Sequence, residues 1–247
     1  MVSLGIVDTG VSIDHQLVKA FQDEIGEAEV KTQAPLSDFT TEEILKLSDI
    51  EAEFPIYTEL GSGEVAYIPS RILTPYIQNA IDDLVERGAS LITVICGGSF
   101  PKLTTPVPLI LPGALTAKLV SSVIKPKRLG VLVPSKGQVK TIQRKWKSFG
   151  FDPVMVAIPP VLRETDPTTW RCAVDRFSKT ERDVVVADCM GFGDLHAKDL
   201  RENARVLPVM AKELTISTCS SILNAKSATE KQIPRAYSSC ASSNLKG

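Results

Sequence analysis

Short runs of apolar residues recur along this chain, and most are closed by a glycine, a proline or an acid. Leu4-Gly5-Ile6-Val7 ends at Asp8-Thr9-Gly10, and Leu91-Ile92-Thr93-Val94-Ile95 ends at Cys96-Gly97-Gly98-Ser99. Leu129-Gly130-Val131-Leu132-Val133 ends at Pro134-Ser135, and Val184-Val185-Val186-Ala187 ends at Asp188-Cys189-Met190-Gly191. A run this short, apolar at nearly every position, has no polar face to give to water. It predicts a strand inside a parallel sheet that is covered on both sides. Val154–Ile158 and Leu207–Met210 read as further strands.

Between these runs the apolar positions return at helical spacing. Asp14 to Gly26 reads as a helix. Thr40, with Glu43 three residues on, forms the capping box of a second, short one. From Arg71 to Arg87 the apolar positions Ile77, Ile81, Leu84 and Val85 share a face, and Gly88 stops the helix. Lys136 to Phe149 is a basic helix closed by Gly150. Asp166-Pro167 pairs an N-cap with proline at the first helical position. A last helix covers about Lys212 to Lys226. Phe54–Thr58 and Glu64–Ile68 flank Leu60-Gly61-Ser62-Gly63, a hairpin signal. Alternating strands and helices predict an α/β protein. The second half repeats the grammar of the first, so two similar lobes are expected, each with a mainly parallel sheet flanked by helices. The break near Pro112-Gly113 places residues 1–112 in the first lobe, joined by 208–226, and residues 113–207 in the second. Residues 227–247 are Ser-rich and aperiodic and read as a polar tail.

Composition narrows the function classes. Lys and Arg number 28 against 29 Asp and Glu, leaving a net charge of −1. A dedicated nucleic-acid binder carries a basic excess, so none is expected. Lys136, Lys140, Arg144, Lys145 and Lys147 of the basic helix come with no aromatic platform and read as a solvated face. No apolar run reaches the length of about 20 residues needed to span a bilayer, and the N-terminus lacks the basic start of a secretory signal. No membrane partner and a cytoplasmic location are expected. The five cysteines include no CxxC pair, and the histidines are His15 and His196 alone. Neither a metal nor, without a phosphate-binding glycine loop, a nucleotide cofactor is expected.

Candidate chemistry concentrates at two strand ends. In open parallel sheets ligands bind beyond the carboxyl ends of the strands. Cys96 and Cys189 both stand there, the first next to Gly97 and the second with one residue between it and Gly191. Backbone amides at such a turn favour anions and are expected to lower a thiol pKa towards neutrality. Cys172, Cys219 and Cys240 lack this placement and read as structural or incidental. His196 reads as a solvent-facing helix residue. Asp188 is expected, by strand alternation, to point away from Cys189.

Several segments resemble one family. Ile95-Cys96-Gly97-Gly98-Ser99-Phe100-Pro101 resembles the cysteine loop of AroM-like proteins. Gly130-Val131-Leu132-Val133-Pro134, then Gln138, Lys145-Trp146 and Gly150, is similar to their central segment. Asp188-Cys189-Met190-Gly191-Phe192 resembles their second cysteine motif, and Leu36-Ser37-Asp38-Phe39-Thr40 and Thr58-Glu59-Leu60 fall where the family has similar segments. These markers cover most of residues 36–210. Asp8-Thr9-Gly10 resembles the Asp-Ser-Gly loop of glutamate racemases. AroM proteins belong to the aspartate/glutamate/hydantoin racemase superfamily. The resemblance implies two α/β lobes with an active-site cleft between them and one cysteine from each. It implies cofactor-independent proton transfer α to a carboxylate or carbonyl, in a racemase, epimerase or isomerase. Cys96 and Cys189 would be base and acid. Asp8, Thr9, Gly97, Gly98, Ser99, Ser135 and Gly191 would hold a small carboxylate or amino-acid-like substrate. A homo-oligomer is compatible with this reading. A single-thiol decarboxylase or C–N hydrolase, and a non-catalytic metabolite-binding protein, remain open on the same fold.

Overall fold

The computed structural model describes residues 2–49, 51–60, 64–123 and 128–232, with side chains as far as residue 226. Strand β1 (Ser3–Val7) is buried along its whole length. The carboxylate of Asp14 accepts the amides of Gln16 and Leu17, so helix α1 (His15–Ile25) begins where the N-cap satisfies its free donors. Leu17, Phe21 and Ile25 are its buried stripe. Strand β2 (Glu29–Gln33) pairs parallel with β1. It is a half-exposed edge of mixed composition, so no apolar run announces it. Helix α2 (Thr41–Lys46) opens with the expected Thr40–Glu43 capping box. Strands β3 (Pro55–Glu59) and β4 (Val65–Pro69) form the antiparallel hairpin, with Ile56 opposite Ile68; its tip, residues 61–63, lies outside the described residues. Helix α3 (Ser70–Glu86) precedes Gly88, whose φ of 84° is the left-handed turn that glycine tolerates. Strands β5 (Leu91–Val94) and β6 (Leu109–Ile110) complete a parallel sheet ordered β2-β1-β5-β6.

Helix α4 (Pro112–Val123) leads into the second lobe. The Pro112-Gly113 break is the start of this helix. It is no loose linker: a Cβ on Gly113 would stand 2.3 Å from the carbonyl oxygen of Gly97. Strand β7 (Leu129–Val133), helix α5 (Val139–Ser148) and strand β8 (Val154–Ala157) follow. A one-turn helix α6 (Leu162–Thr165) precedes α7 (Pro167–Lys179), capped by the Asp166 carboxylate at the Thr169 amide, 3.1 Å. Strand β9 (Val184–Ala187), helix α8 (Asp194–Asp199) and strand β10 (Leu207–Met210) close a second parallel sheet, ordered β10-β9-β7-β8. The two orders correspond strand for strand: β1 with β7, β2 with β8, β5 with β9 and β6 with β10.

Helix α9 (Ala211–Gln232) then leaves the second sheet. Its Ile216, Cys219 and Leu223 pack with Leu17, Phe21 and Ile25 of α1, and Ser220 Oγ donates to the Glu24 carbonyl at 3.0 Å. All of Leu207–Met210 belongs to the second sheet, so the chain leaves it after Met210 rather than at residue 208. The helix runs on to Gln232, past the expected start of the tail at 227, and residues 233–247 lie outside the described ones. Apolar side chains cover both faces of each sheet: Leu4 and Ile6 face α1 and α9, whereas Val7, Ile92 and Val94 face α3 and the hairpin.

Candidate functional site

Strands β5 and β9 hold corresponding places in the two sheets, and each delivers a cysteine at its carboxyl end. The two turns are built alike. The Gly98 amide donates to Cys96 Sγ at 3.3 Å, and the Gly191 amide donates to Cys189 Sγ at 3.4 Å. Glycine at 97 and 98 is a matter of space. A Cβ on Gly97 would lie 2.7 Å from the Asp188 carbonyl oxygen, and one on Gly98 would lie 2.4 Å from Ile56 Cδ1 of the hairpin. The first cysteine loop therefore presses directly against the second. Both sulfur-bearing residues line one small cavity of about 80 Å³, together with Thr9, Tyr57, Gly97, Gln138 and Asp188. An open hollow of about 520 Å³, lined by Asp8, Gly10, Asp14, Thr58 and Glu59 among others, shares Thr9 and Tyr57 with it. The two spaces thus adjoin at Thr9 and Tyr57.

Burial governs the thiols. It pushes the Cys96 thiol up, against the Gly98 amide, a hydrogen bond with Thr9 and the charge of Lys145, all of which favour the thiolate. Burial pushes Cys189 up to about 12, and a charge on Cys96 pushes the same way. The expected lowering towards neutrality is thus reversed. One amide per sulfur does not repay the loss of water around a thiolate. The turn after β5 also runs directly into no helix of its own. The two thiols still differ: Cys96 has more that favours ionisation, and its charge would hold Cys189 protonated. Tyr57 is also raised to about 12 by burial and keeps its proton.

A buried ion pair joins the two loops. Strand alternation holds at Asp188, whose carboxylate turns to α5, where Oδ2 accepts Trp146 Nε1 at 2.9 Å and Lys145 Nζ at 2.5 Å. Lys145 Nζ also donates to the Gly97 carbonyl at 3.3 Å. The Lys145 and Asp188 side chains are only 8% and 0% exposed, so this charge pair is held inside the protein. Lys145 is no part of a solvated face, although Lys136, Lys140, Arg144 and Lys147 are exposed as expected. The helix turns one lysine inward because that lysine finds a carboxylate. Asp188 points away from the Cys189 side of the strand yet lines the cavity, because the α5 side of the second sheet faces the first lobe.

The remaining sequence candidates divide. Asp8 is buried and accepts the amides of Gly10 and Asp14, both at 2.9 Å; burial raises its pKa. It lines the hollow and shapes the first loop. Thr9 reaches both spaces. Ser135 Oγ is taken by Tyr67 at 2.5 Å and by the Gly137 amide at 3.2 Å, and it does not line the cavity. Ser99 faces a separate cavity of about 410 Å³ with Phe54, Arg71 and Phe100. Gly191 contributes its amide to Cys189 and sits under Pro160. Cys172 is exposed on α7 and Cys219 is buried in α9, while Cys240 lies outside the described residues. His196 does not face solvent. Its Nδ1 accepts the Gly193 amide at 3.1 Å, Nε2 meets the Pro160 carbonyl at 3.1 Å, and its ring packs edge-on to Trp170 and Phe192. Burial lowers its pKa. Tyr57, Gln138 and Lys145 join the site without a motif of their own in the sequence. Two of these stood inside the family-like central segment, which was the one signal available for them. Among the described residues, no three His, Cys, Asp or Glu side chains gather so as to hold a metal ion. No described helix is long and apolar enough to cross a membrane.

A family model described as AroM protein matches residues 4–223. No curated protein matches in sequence. Glutamate racemase from Aquifex pyrophilus is similar in structure, with 18% identity and a TM-score of 0.55 over 89% of this chain and 83% of that one. Allantoin racemase from Pseudomonas fluorescens has 13% identity and a TM-score of 0.54, covering 92% of each chain. A variant of arylmalonate decarboxylase, in a sulfate-associated form, has 10% identity and a TM-score of 0.59 over 90% of this chain and 93% of that one. At these identities the likeness is one of fold.

Proposed function

Because the chain belongs to the AroM protein family, on a racemase-like fold of two α/β lobes, we propose that it is a cofactor-independent racemase, epimerase or isomerase. It would move a proton at the carbon next to the carboxylate or carbonyl of a small substrate. The observation that carries this reading is the pair of thiols on corresponding strand ends, each bonded to the amide two residues on, lining one cavity. A carbon acid is weak, so base and acid must be preplaced on opposite faces of the carbon. In one direction Cys96 is the thiolate and takes the α-proton, forming an S–H bond as the C–H bond breaks. The electron pair moves onto the carboxylate or carbonyl as an enolate, which the lobe-end amides and the Tyr57 phenol would stabilise. Cys189 then gives its proton to the other face and becomes the thiolate. The reverse turnover starts from that state. The pair shares one proton, in keeping with the charge of Cys96 raising Cys189.

A second reading has its own support. Cys189, held protonated by burial, would serve alone as proton donor to a carbanion left by loss of carbon dioxide. Cys96→Ser and Cys189→Ser separate the readings, because serine fills nearly the same space with a far higher pKa. Each variant is expected to lose turnover by at least a thousandfold while keeping its melting temperature. Each should still exchange the α-proton of the single enantiomer that faces its surviving thiol in heavy water. Full racemisation by either variant refutes the two-thiol mechanism, and loss confined to Cys189→Ser favours the single-donor reading.

A further inference from the structure

The cavity wall carries two buried acceptors that the protein itself leaves unused. Asp188 Oδ2 holds Lys145 and Trp146, which meets every structural demand on that carboxylate, yet Oδ1 is buried with no hydrogen-bond partner. Gln138 Oε1 is the same: buried and unpaired. Both residues line the 80 Å³ cavity with Cys96 and Cys189. Gly97 stands next to Oδ1, and a Cβ there would come within 3.4 Å of it. Buried polar atoms are nearly always paired, and a pair of exceptions at one cavity points to a ligand that completes them.

The chemistry of that ligand follows from the atoms. Oδ1 belongs to a carboxylate and accepts only. It repels a substrate carboxylate, and Lys145 is already committed to Oδ2. What satisfies it is an N–H or O–H group. We propose that Asp188 and Gln138 read a hydrogen-bond donor on the reacting carbon, so that the substrate is a 2-amino, 2-acylamino or 2-hydroxy acid rather than one with a plain hydrocarbon substituent there. The inference rests on the two-thiol reading for the position of the reacting carbon. Asp188 sets the orientation: donor group towards α5, carboxylate away from it, and the exchangeable C–H on the line between the sulfurs.

The test uses the intact protein and matched probes that differ only at the substituent: alanine, lactate and isobutyrate, with their phenyl and isobutyl homologues. Binding is measured by calorimetry, and α-proton exchange by NMR in heavy water. The donor-bearing members are expected to bind at least about tenfold tighter than the methyl analogues, the scale of a hydrogen bond to a charged group. Gln138→Leu removes an unpaired atom, so it should keep or raise the melting temperature while narrowing that preference. Asp188→Asn should narrow it further, and Lys145→Met with Asp188→Asn should do so without leaving a buried charge unpaired. Equal binding of donor-bearing and methyl probes, or a preference untouched in all these variants, overturns the subsite. So does failure of every probe to bind. Preference without exchange in any probe keeps the subsite and overturns the two-thiol reading instead.

Discussion

His196 and the buried thiols set opposite limits on the pH range in which this fold is most stable. His196 sits among Trp170, Phe192 and the Pro160 carbonyl, and its pKa is lowered from 6.5 by burial. Below that value the unfolded chain takes up a proton that the folded chain refuses, so stability falls with falling pH until the folded pKa is passed. Cys189 and Cys219 are raised from 9.0 to about 12. Above the lower value the unfolded chain releases protons that the folded chain retains, so stability falls with rising pH up to the folded value. Melting temperatures should therefore peak between these limbs. His196→Gln should flatten the acid limb and Cys219→Ala the alkaline one, each at some cost in maximum stability. A His196→Gln profile with an unchanged acid limb would mean that another group controls it. If Cys96 is the base of the proposed reaction, the same burial makes that reaction alkaline-dependent: kcat/KM should rise with pH, since burial raises the thiol and leaves the thiolate the minority form at neutrality.

At the level of elements, α4 positions the first cysteine loop. Its start packs so closely that a Cβ on Gly113 would meet the Gly97 carbonyl carbon at 2.9 Å as well as its oxygen. Backbone atoms on both sides cannot swing away as a side-chain tip can. Helix propensity favours Gly113→Ala by up to about 1 kcal/mol. Overpacking costs about 1–3 kcal/mol and should win. The expected outcome is a net loss of stability in urea unfolding, together with reduced turnover once a substrate is known, because Gly97 and Cys96 shift with the helix. A more stable Gly113→Ala protein would show that α4 can slide away from the loop. The hairpin acts on the same loop from the other side, through Ile56 against Gly98 and Tyr57 in the cavity.

Across the whole molecule, the lobes meet through polar contacts of specific residues. Lys145 of the second lobe bonds the Gly97 carbonyl of the first, while Thr141 Oγ1 and Arg144 donate to the Glu53 carbonyl at 3.1 and 2.9 Å. The hollow outside the cavity carries Asp8, Asp14 and Glu59, with no lysine or arginine among its described lining residues. A substrate tail lying there meets negative charge. Probes with a distal carboxylate, such as glutamate, are expected to bind severalfold more weakly than the amide-bearing analogue glutamine. The gap should shrink with added salt, because Asp14 and Glu59 are exposed and screened. Tighter binding of the dicarboxylate would place the tail elsewhere. This preference runs against the dicarboxylic amino acid named for the Aquifex enzyme of the same fold.

Much of this protein is written in short-range pattern. The apolar runs, the Thr40 and Asp166 caps and the glycine at 88 depend on neighbours a few residues away, so strands, helices and the repeated α/β lobes could be read directly. The two cysteines could be found because strand ends are local features and the sheet rule does the rest. Strand β2 could not, because an edge strand half in water needs no apolar run. Helix α4 starts at the Pro112-Gly113 boundary between the lobes, and no local signal there announces a helix. The character of the site was decided only by tertiary contact. Lys145 looks like its exposed neighbours until Asp188, far along the chain, comes within reach. His196 is buried by Trp170 and Pro160, which belong to other elements. The thiol pKa values follow from burial, a sum over everything packed around a sulfur, and no local motif carries that sum.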